Sequence, residues 1–365
     1  MRNGFTTGSC AAASAKAAAF MLINQIKIDT IEIITPAGIP YNADLCQVIM
    51  DKDYVSCGVV KDSGDDPDST DGILVCAKVQ KLEYSGVKIV GGLGVGRITR
   101  PGLEMPVGEA AINSVPRKMI TEAVTEVIDD GDYDGGVEVT IFVPDGEEIS
   151  KKTFNPHMGI EGGISILGTS GLVRPMSNEA ILKTIELDIK MKYEEGNEVA
   201  ILVPGNYGEN FLVNTYGVSA DKIIHYSNFV GFAIEKAVEA GFKKILIAGH
   251  TGKMVKVSGG IMNTHSKEAD SRSELMLANA IRAMDKGLCF LPKKALIRIL
   301  DSLSTTAALE ILDEYGCMYA SCTVMLERIL FYLKKKAGDD IEIECILYEN
   351  SYGLLAKSNG VEELI

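Results

Sequence analysis

The sequence lacks the features that would assign it at once to a redox, metal, covalent-catalysis or membrane class. Its eight cysteines (Cys10, Cys46, Cys57, Cys76, Cys289, Cys317, Cys322, Cys345) include no Cys-x-x-Cys pair, and most sit in apolar runs, as small buried hydrophobes do. That usage fits a reduced compartment, so a cytoplasmic protein is expected. The four histidines (His157, His225, His250, His265) show no ligand spacing of the His-Glu-x-x-His kind, and no protein-bound metal is expected. No Gly-x-Ser-x-Gly elbow or paired Cys-His signature occurs, which leaves covalent nucleophilic catalysis unsupported. No stretch reaches the ~18 uncharged apolar residues of a membrane span. Arg2 and the alanine-rich run Ala11 to Phe20 faintly imitate a secretory signal. Lys16 interrupts that run and residues 26–34 continue as a strand pattern, so neither cleavage nor targeting is expected. Positive charge is short as well: 36 Lys and Arg against 50 Asp and Glu give a net charge of −14, which argues against nucleic acid and anionic membranes as partners. An anionic ligand must then meet a local basic pocket.

What is present is an ordinary globular composition, 46% hydrophobic and 24% charged with 37 Gly in 365 residues. At ~100 to 200 residues per domain, two domains are expected, each able to bury its own core. Thr6-Thr7-Gly8-Ser9 offers N-cap candidates for a helix through about Leu22, whose alanines permit close approach to a sheet or ligand. Strand patterns near 27–35, 45–50, 54–60 and 73–83 read as a mostly antiparallel sheet, followed by a glycine-rich loop at 91–102, a helix over 116–129 and a strand at 137–143. Residues 1–150 are therefore expected to form an α+β domain ending in the polar stretch Pro144 to Lys152.

From there the rhythm changes. Ile164–Leu167, Val199–Val203, Ile223–Tyr226 and Ile245–Ala248 are short apolar runs separated by helical stretches, which predicts parallel strands with crossover helices. One such helix starts at Ser177 and carries Ile181, Ile185 and Ile189 on one face. Residues 151–365 are expected to form a Rossmann-like α/β domain with a helical C-terminal part over 267–337 and a last strand at 341–347.

In an open parallel sheet the turns after the strands share one crevice, where ligands bind. Those turns read Gly168-Thr169-Ser170-Gly171, Pro204-Gly205-Asn206-Tyr207-Gly208, Tyr226-Ser227-Asn228 and Gly249-His250-Thr251-Gly252-Lys253. Glycine lets backbone amides approach a ligand and the following helix presents free N–H groups, although Gly and Asn also serve simply to make tight turns. Nucleotide signatures fail: the first glycine of a P-loop ending at Lys253 would fall at Ile247, and Gly92-Leu93-Gly94-Val95-Gly96 lacks the dinucleotide spacing. Arg97 and Arg100 place two guanidiniums on one loop, a geometry suited to carboxylates or to plain solvation. The run Asp62 to Gly72 has the wrong register for a calcium loop and reads as a solvated acidic turn, with a substrate-facing role as the alternative.

Long motifs carry a sharper signal. Gly4-Phe5-Thr6-Thr7-Gly8-Ser9-Cys10-Ala11-Ala12-Ala13, the Lys61 to Gly72 loop, Gly91 to Gly102, Asn155 to Gly171 and Gly249 to Gly260 together make the chain resemble the CbiD family, cobalt-precorrin-5B C-1-methyltransferases of the oxygen-independent cobalamin pathway. The resemblance runs from the first residues to at least Arg272. It implies a methyl transfer from S-adenosylmethionine to C-1 of a cobalt-corrinoid, giving cobalt-precorrin-6A, with cobalt carried by the substrate. On that basis the donor is expected at Gly168, Thr169, Ser170, Gly171, Gly205, Asn206, Gly208, Asn228, Gly249, Thr251 and Gly252. The polycarboxylate acceptor is expected at Thr6, Thr7, Ser9, Arg97, Arg100 and Lys253. If methylation is coupled to proton loss, His250 is the candidate base and His157 the alternative. Two other classes share these loops: a nucleotide-dependent transferase and a non-catalytic tetrapyrrole carrier. Oligomeric state is not legible.

Overall fold

The structure is a computed structural model and describes residues 1–156, 158–175 and 177–365. The chain divides into two compact units, Met1–Asn178 and Glu179–Ile365.

In the first unit, a helix at Thr7–Asn24 is apolar all round, and every residue from Thr6 to Ala15 is buried. A helix of that composition is stable only where it is covered on all sides. One side is covered by a six-stranded sheet in the order Thr30–Ile34, Pro40–Met50, Tyr54–Val60, Leu74–Leu82, Gly136–Phe142, Gly86–Gly91. Neighbouring strands are antiparallel except the last pair, which is parallel. The other side is covered by the helix Ser114–Asp130, whose Met119, Ile120, Ala123, Val124 and Val127 form a stripe at helical spacing. Alanines on the first helix let both neighbours come close, and each fully buried Ile or Val of this core, such as Ile120 and Val139, contributes roughly 1.5–3 kcal/mol.

The second unit contains a five-stranded sheet in the order Ile223–His225, Val199–Val203, Lys244–His250, Glu342–Glu349, Gly353–Lys357. The first four are parallel and the last is an antiparallel edge. Both faces are buried, as crossover helices require: Leu202, Ile247 and Leu347 belong to one core, Val203, Ala248 and Ile346 to another. The helix Asn178–Glu194 leads into the first of these strands in chain order, helices at Asn206–Tyr216, Val230–Ala240 and Thr251–Val257 lie between strands, and Arg272–Asp285, Lys293–Leu300, Thr305–Glu314 and Met318–Ala337 form the helical part that the sequence predicts. Ile185 and Ile189 are buried as expected, whereas Ile181 is exposed.

Two expectations are corrected. The boundary lies at 178/179, not 150/151, and Ile164–Leu167 is no strand of the second sheet. Gly163–Ile164 pairs in parallel with Gly94–Val95, Ile166 bridges Ile112, and Leu172–Val173 pairs with Gly4–Phe5. Alternation in this segment buries Ile164 and Ile166 in the first unit's core, an arrangement that an apolar run alone does not distinguish from a parallel strand.

Candidate functional site

In the first unit the N-terminal motif and the 163–173 segment are sewn together. Thr6 Oγ1 accepts from Ser9 N (3.2 Å) and so caps the alanine helix. Thr7 Oγ1 donates to the Ser165 carbonyl (3.1 Å) and accepts from Leu167 N (2.9 Å). Ser9 Oγ donates to the Gly171 carbonyl (2.7 Å), which also receives Thr6 N (3.1 Å). These three hydroxyls are buried and engaged with backbone, so they hold the loop in place. The same contacts place Gly168, Thr169, Ser170 and Gly171 within the first unit, where they follow no strand of the five-stranded sheet. Gly168 (φ +136°) lies against Thr6, and a Cβ there would stand 2.3 Å from Thr6 Oγ1.

Beside this seam lies a cavity of about 230 Å³, lined by Thr6, Thr7, Lys61, Asp68, Thr70, Thr153, Asn155, Ile164, Ser165, Leu167 and Val173. The acidic loop that contributes Lys61 and Asp68 is not a free solvated turn. Lys61, with a side chain only 2% exposed, donates to Asp68 Oδ2 (2.8 Å) and to Ser63 Oγ. Asp68 also accepts from Thr70 N (2.8 Å) and Thr70 Oγ1 (2.7 Å). Burial raises the Asp68 carboxyl, but the ammonium of Lys61 and the Thr70 donors outweigh it and hold the group below the usual carboxylate range. At the other end of the loop Asp62 pairs with Arg2, and Ser63 N donates to Asp71 Oδ1 (2.8 Å).

In the second unit the remaining predicted loops do meet on one edge, at the carboxyl ends of the parallel strands. Gly205, Asn206 and Gly208 open the helix Asn206–Tyr216, and Glu209 of that helix reaches His225 Nε2 (2.7 Å). His250 caps the next helix: its Nδ1 accepts from Gly252 N (3.0 Å). That bond puts the proton of the neutral ring on Nε2, which faces Glu349 Oε1 at 3.4 Å. Nδ1 is thus engaged by the Gly252 amide, and Nε2 stands near the Glu349 carboxylate. Glu349, 5% exposed, also accepts from Thr306 Oγ1 (3.2 Å) and Ser351 N (2.6 Å). Thr251 is buried and donates to the Tyr348 carbonyl (3.0 Å). Asn228 accepts from Thr264 N (2.8 Å) through its carbonyl, and Lys253 donates to the Ser227 carbonyl (3.0 Å). Burial, followed by repulsion from Lys256, lowers the Lys253 ammonium below the ordinary lysine range.

Arg97 is exposed and donates to the Gly108 carbonyl (3.1 Å), while the half-buried Arg100 lays its stem across Gly159. His157 lies outside the described residues. Sequence reasoning missed Glu349, Thr306 and the cavity role of Lys61, Asp68 and Asn155. Glu349 follows the strand pattern 341–347, which carries Glu342 and Glu344 as well, so nothing in the sequence singled it out, and no signal marked which charges of the acidic loop turn inward. Among the described residues no cluster of three or more His, Cys, Asp or Glu is arranged to hold a metal, and no helix is long and apolar enough to cross a membrane.

The CbiD family description matches residues 1–175, and that of the CbiD C-terminal domain matches residues 263–359. The cobalt-precorrin-5B C(1)-methyltransferase of Ruminiclostridium cellulolyticum is 46% identical over 95% of this chain and 89% of its own length. The chain belongs to the CbiD family. The protein of the same name from Thermoanaerobacter sp. is 44% identical over 98% of this chain and 95% of its own. The solved structure of the CbiD cobalamin biosynthesis protein from Archaeoglobus fulgidus shares 27% identity, covers 74% of this chain and 84% of that one, and has a TM-score of 0.40.

Proposed function

We propose that this chain is a cobalt-precorrin-5B C-1-methyltransferase that takes its methyl group from S-adenosylmethionine. The observation that carries the reading is extent: relatives bearing that name align with 95% and 98% of the chain at 46% and 44% identity. S-adenosylmethionine supplies an electrophilic methyl group when bound, so the protein's work is to align donor and acceptor and to exclude water. Cobalt enters inside the corrinoid substrate. Among this chain's residues, Lys61 and Asp68 in the first unit's cavity match the opposite charges of the donor's amino-acid end.

For the acceptor we retain Arg97 and Arg100, whose guanidiniums suit the acetate and propionate arms of a corrinoid. We read the second unit as a Rossmann-like fold whose strand-end edge, with Gly205, Asn206, Gly208, Asn228, Gly249, Gly252 and Lys253, meets oxygen-rich groups of the reactants through backbone N–H groups and one ammonium. No proton transfer is assigned to His250, whose Nδ1 is spent on capping the helix that begins at Thr251.

The test is ligand linkage to stability. S-adenosylhomocysteine at about 100 times its Kd should stabilise the fold by roughly 2.7 kcal/mol and raise Tm accordingly, while ATP at equal concentration leaves Tm unchanged. A shift with ATP alone would favour a nucleotide-dependent transferase, and corrinoid binding with no donor binding would favour a carrier.

A further inference from the structure

The cavity beside the N-terminal seam holds an incomplete set of partners. An ammonium has three donors, and Lys61, almost wholly enclosed, uses two of them, on Ser63 Oγ and Asp68 Oδ2. Asp68 is short on the acceptor side: Oδ2 receives Lys61 and Thr70 Oγ1, whereas Oδ1 receives only Thr70 N. Asn155 accepts from Ser165 Oγ at Oδ1 (3.4 Å), and its side-chain nitrogen has no partner among the described residues. All three residues line the same space. Thr6 and Thr7, at the positive end of an 18-residue helix, line it as well, and Ile164, Leu167 and Val173 supply apolar wall.

Leftover donors at Lys61 and Asn155 call for a carboxylate, and a leftover acceptor at Asp68 calls for an ammonium. A ligand carrying a carboxylate alone would be repelled by Asp68, so the chemistry selects a zwitterion. Size narrows it further. At about 230 Å³ the space is below the ~300–1,000 Å³ of pockets that enclose whole drug-sized ligands, and suits a short aliphatic arm.

We propose that this cavity is the subsite for the amino-acid head of the methyl donor, with Lys61 and Asn155 receiving its carboxylate, Asp68 its ammonium, and the apolar wall its methylene chain. The inference rests on the donor being S-adenosylmethionine and adds where its zwitterionic end is held. These residues bind the head and take no part in bond making.

Calorimetric titration compares S-adenosylhomocysteine with methylthioadenosine, which keeps the nucleoside and thioether but lacks the amino-acid head. The parent should bind S-adenosylhomocysteine at least tenfold more tightly than methylthioadenosine. The Lys61→Met/Asp68→Leu double variant removes both charges together, so neither is left buried alone, and Asn155→Ala is a milder second probe. Circular dichroism establishes that each variant is folded. In the double variant the preference should shrink to twofold or less, and in Asn155→Ala it should fall severalfold. A folded double variant that keeps the full preference overturns the subsite while leaving the donor reading intact, and so does one in which both ligands weaken equally. Failure of the parent to bind S-adenosylhomocysteine at all overturns the donor reading and the subsite with it.

Discussion

Gly171 shows how a residue that looks like part of an exposed ligand loop can instead be structural. Its φ is +77°, and a Cβ would stand 2.8 Å from Thr35 Cβ, 2.9 Å from Ser9 Oγ and 3.0 Å from the Pro36 ring. A loop open to the donor, as the sequence suggests for Gly168 to Gly171, would accept Val without loss of the fold and lose only donor affinity. The structure reverses it. A left-handed conformation in a β-branched residue costs of order 1–3 kcal/mol even before those contacts are relieved. Gly171→Val should therefore lower Tm by several degrees in scanning calorimetry, with Gly171→Ala intermediate. An unchanged Tm with reduced S-adenosylhomocysteine affinity would return the loop to the ligand. Arg97 illustrates the opposite case: exposed and bonded to one carbonyl, it keeps most of its donors available, but water and salt screen what it gains. Cysteine chemistry is set by burial at this scale. Desolvation pushes the Cys57, Cys76 and Cys322 thiols up to about 12 and Cys10 to about 11, which suppresses the thiolate at neutral pH.

Between elements, the legible and the illegible parts of the sequence separate by the kind of signal. The alanine helix, its Thr6 cap, the antiparallel strands, the parallel strands from Val199 onward and the C-terminal helices follow from periodicity and capping, which are local. The segment 163–173 was misread because a four-residue apolar run fits either a parallel strand or a buried loop, and its partners lie far away in sequence at Gly4–Phe5, Gly94–Val95 and Ile112. The candidate site divides in the same way. Lys253 and the strand-end glycines were visible from turn chemistry, whereas Lys61, Asp68, Asn155 and Glu349 depend on which side chains long-range packing turns inward. Thr7 tests the main seam, because its hydroxyl is the partner of both Ser165 O and Leu167 N. Thr7→Val keeps the shape and leaves these backbone groups without that partner, at about 1–3 kcal/mol. The expected loss of Tm is roughly 2–4 °C per kcal/mol for a unit of this size, read by calorimetry. A variant as stable as the parent would mean that water replaces the hydroxyl.

Over the whole molecule, a net charge of −14 at neutral pH works against compaction, and mild acid relieves it by protonating exposed carboxylates. The same acid removes specific pairs. Asp62, held low by the Arg2 guanidinium, Asp270 by Arg272 and Glu314 by Arg298 are mostly exposed, so solvent leaves each pair a small contribution. Asp68 differs because its partner Lys61 is enclosed, and loss of the carboxylate charge would leave an ammonium buried without its counter-ion. A carboxyl whose folded pKa lies below its unfolded value contributes stability that is complete above the unfolded value, about 3.9 for Asp, and disappears as pH falls through the folded value. Tm should accordingly hold or rise slightly from pH 7 to about pH 5, where self-repulsion fades, and drop steeply below about pH 4. Asp68→Asn isolates the buried pair: it should lower Tm at pH 6, and the gap from the parent should narrow as pH falls below about 4, where the unfolded carboxyl takes up a proton before the folded one, held low, does. Calorimetry of both proteins from pH 7 to pH 3 decides the point. A gap of constant size across that range would show that the side chain's shape, and not its charge, is what the Lys61 pocket requires.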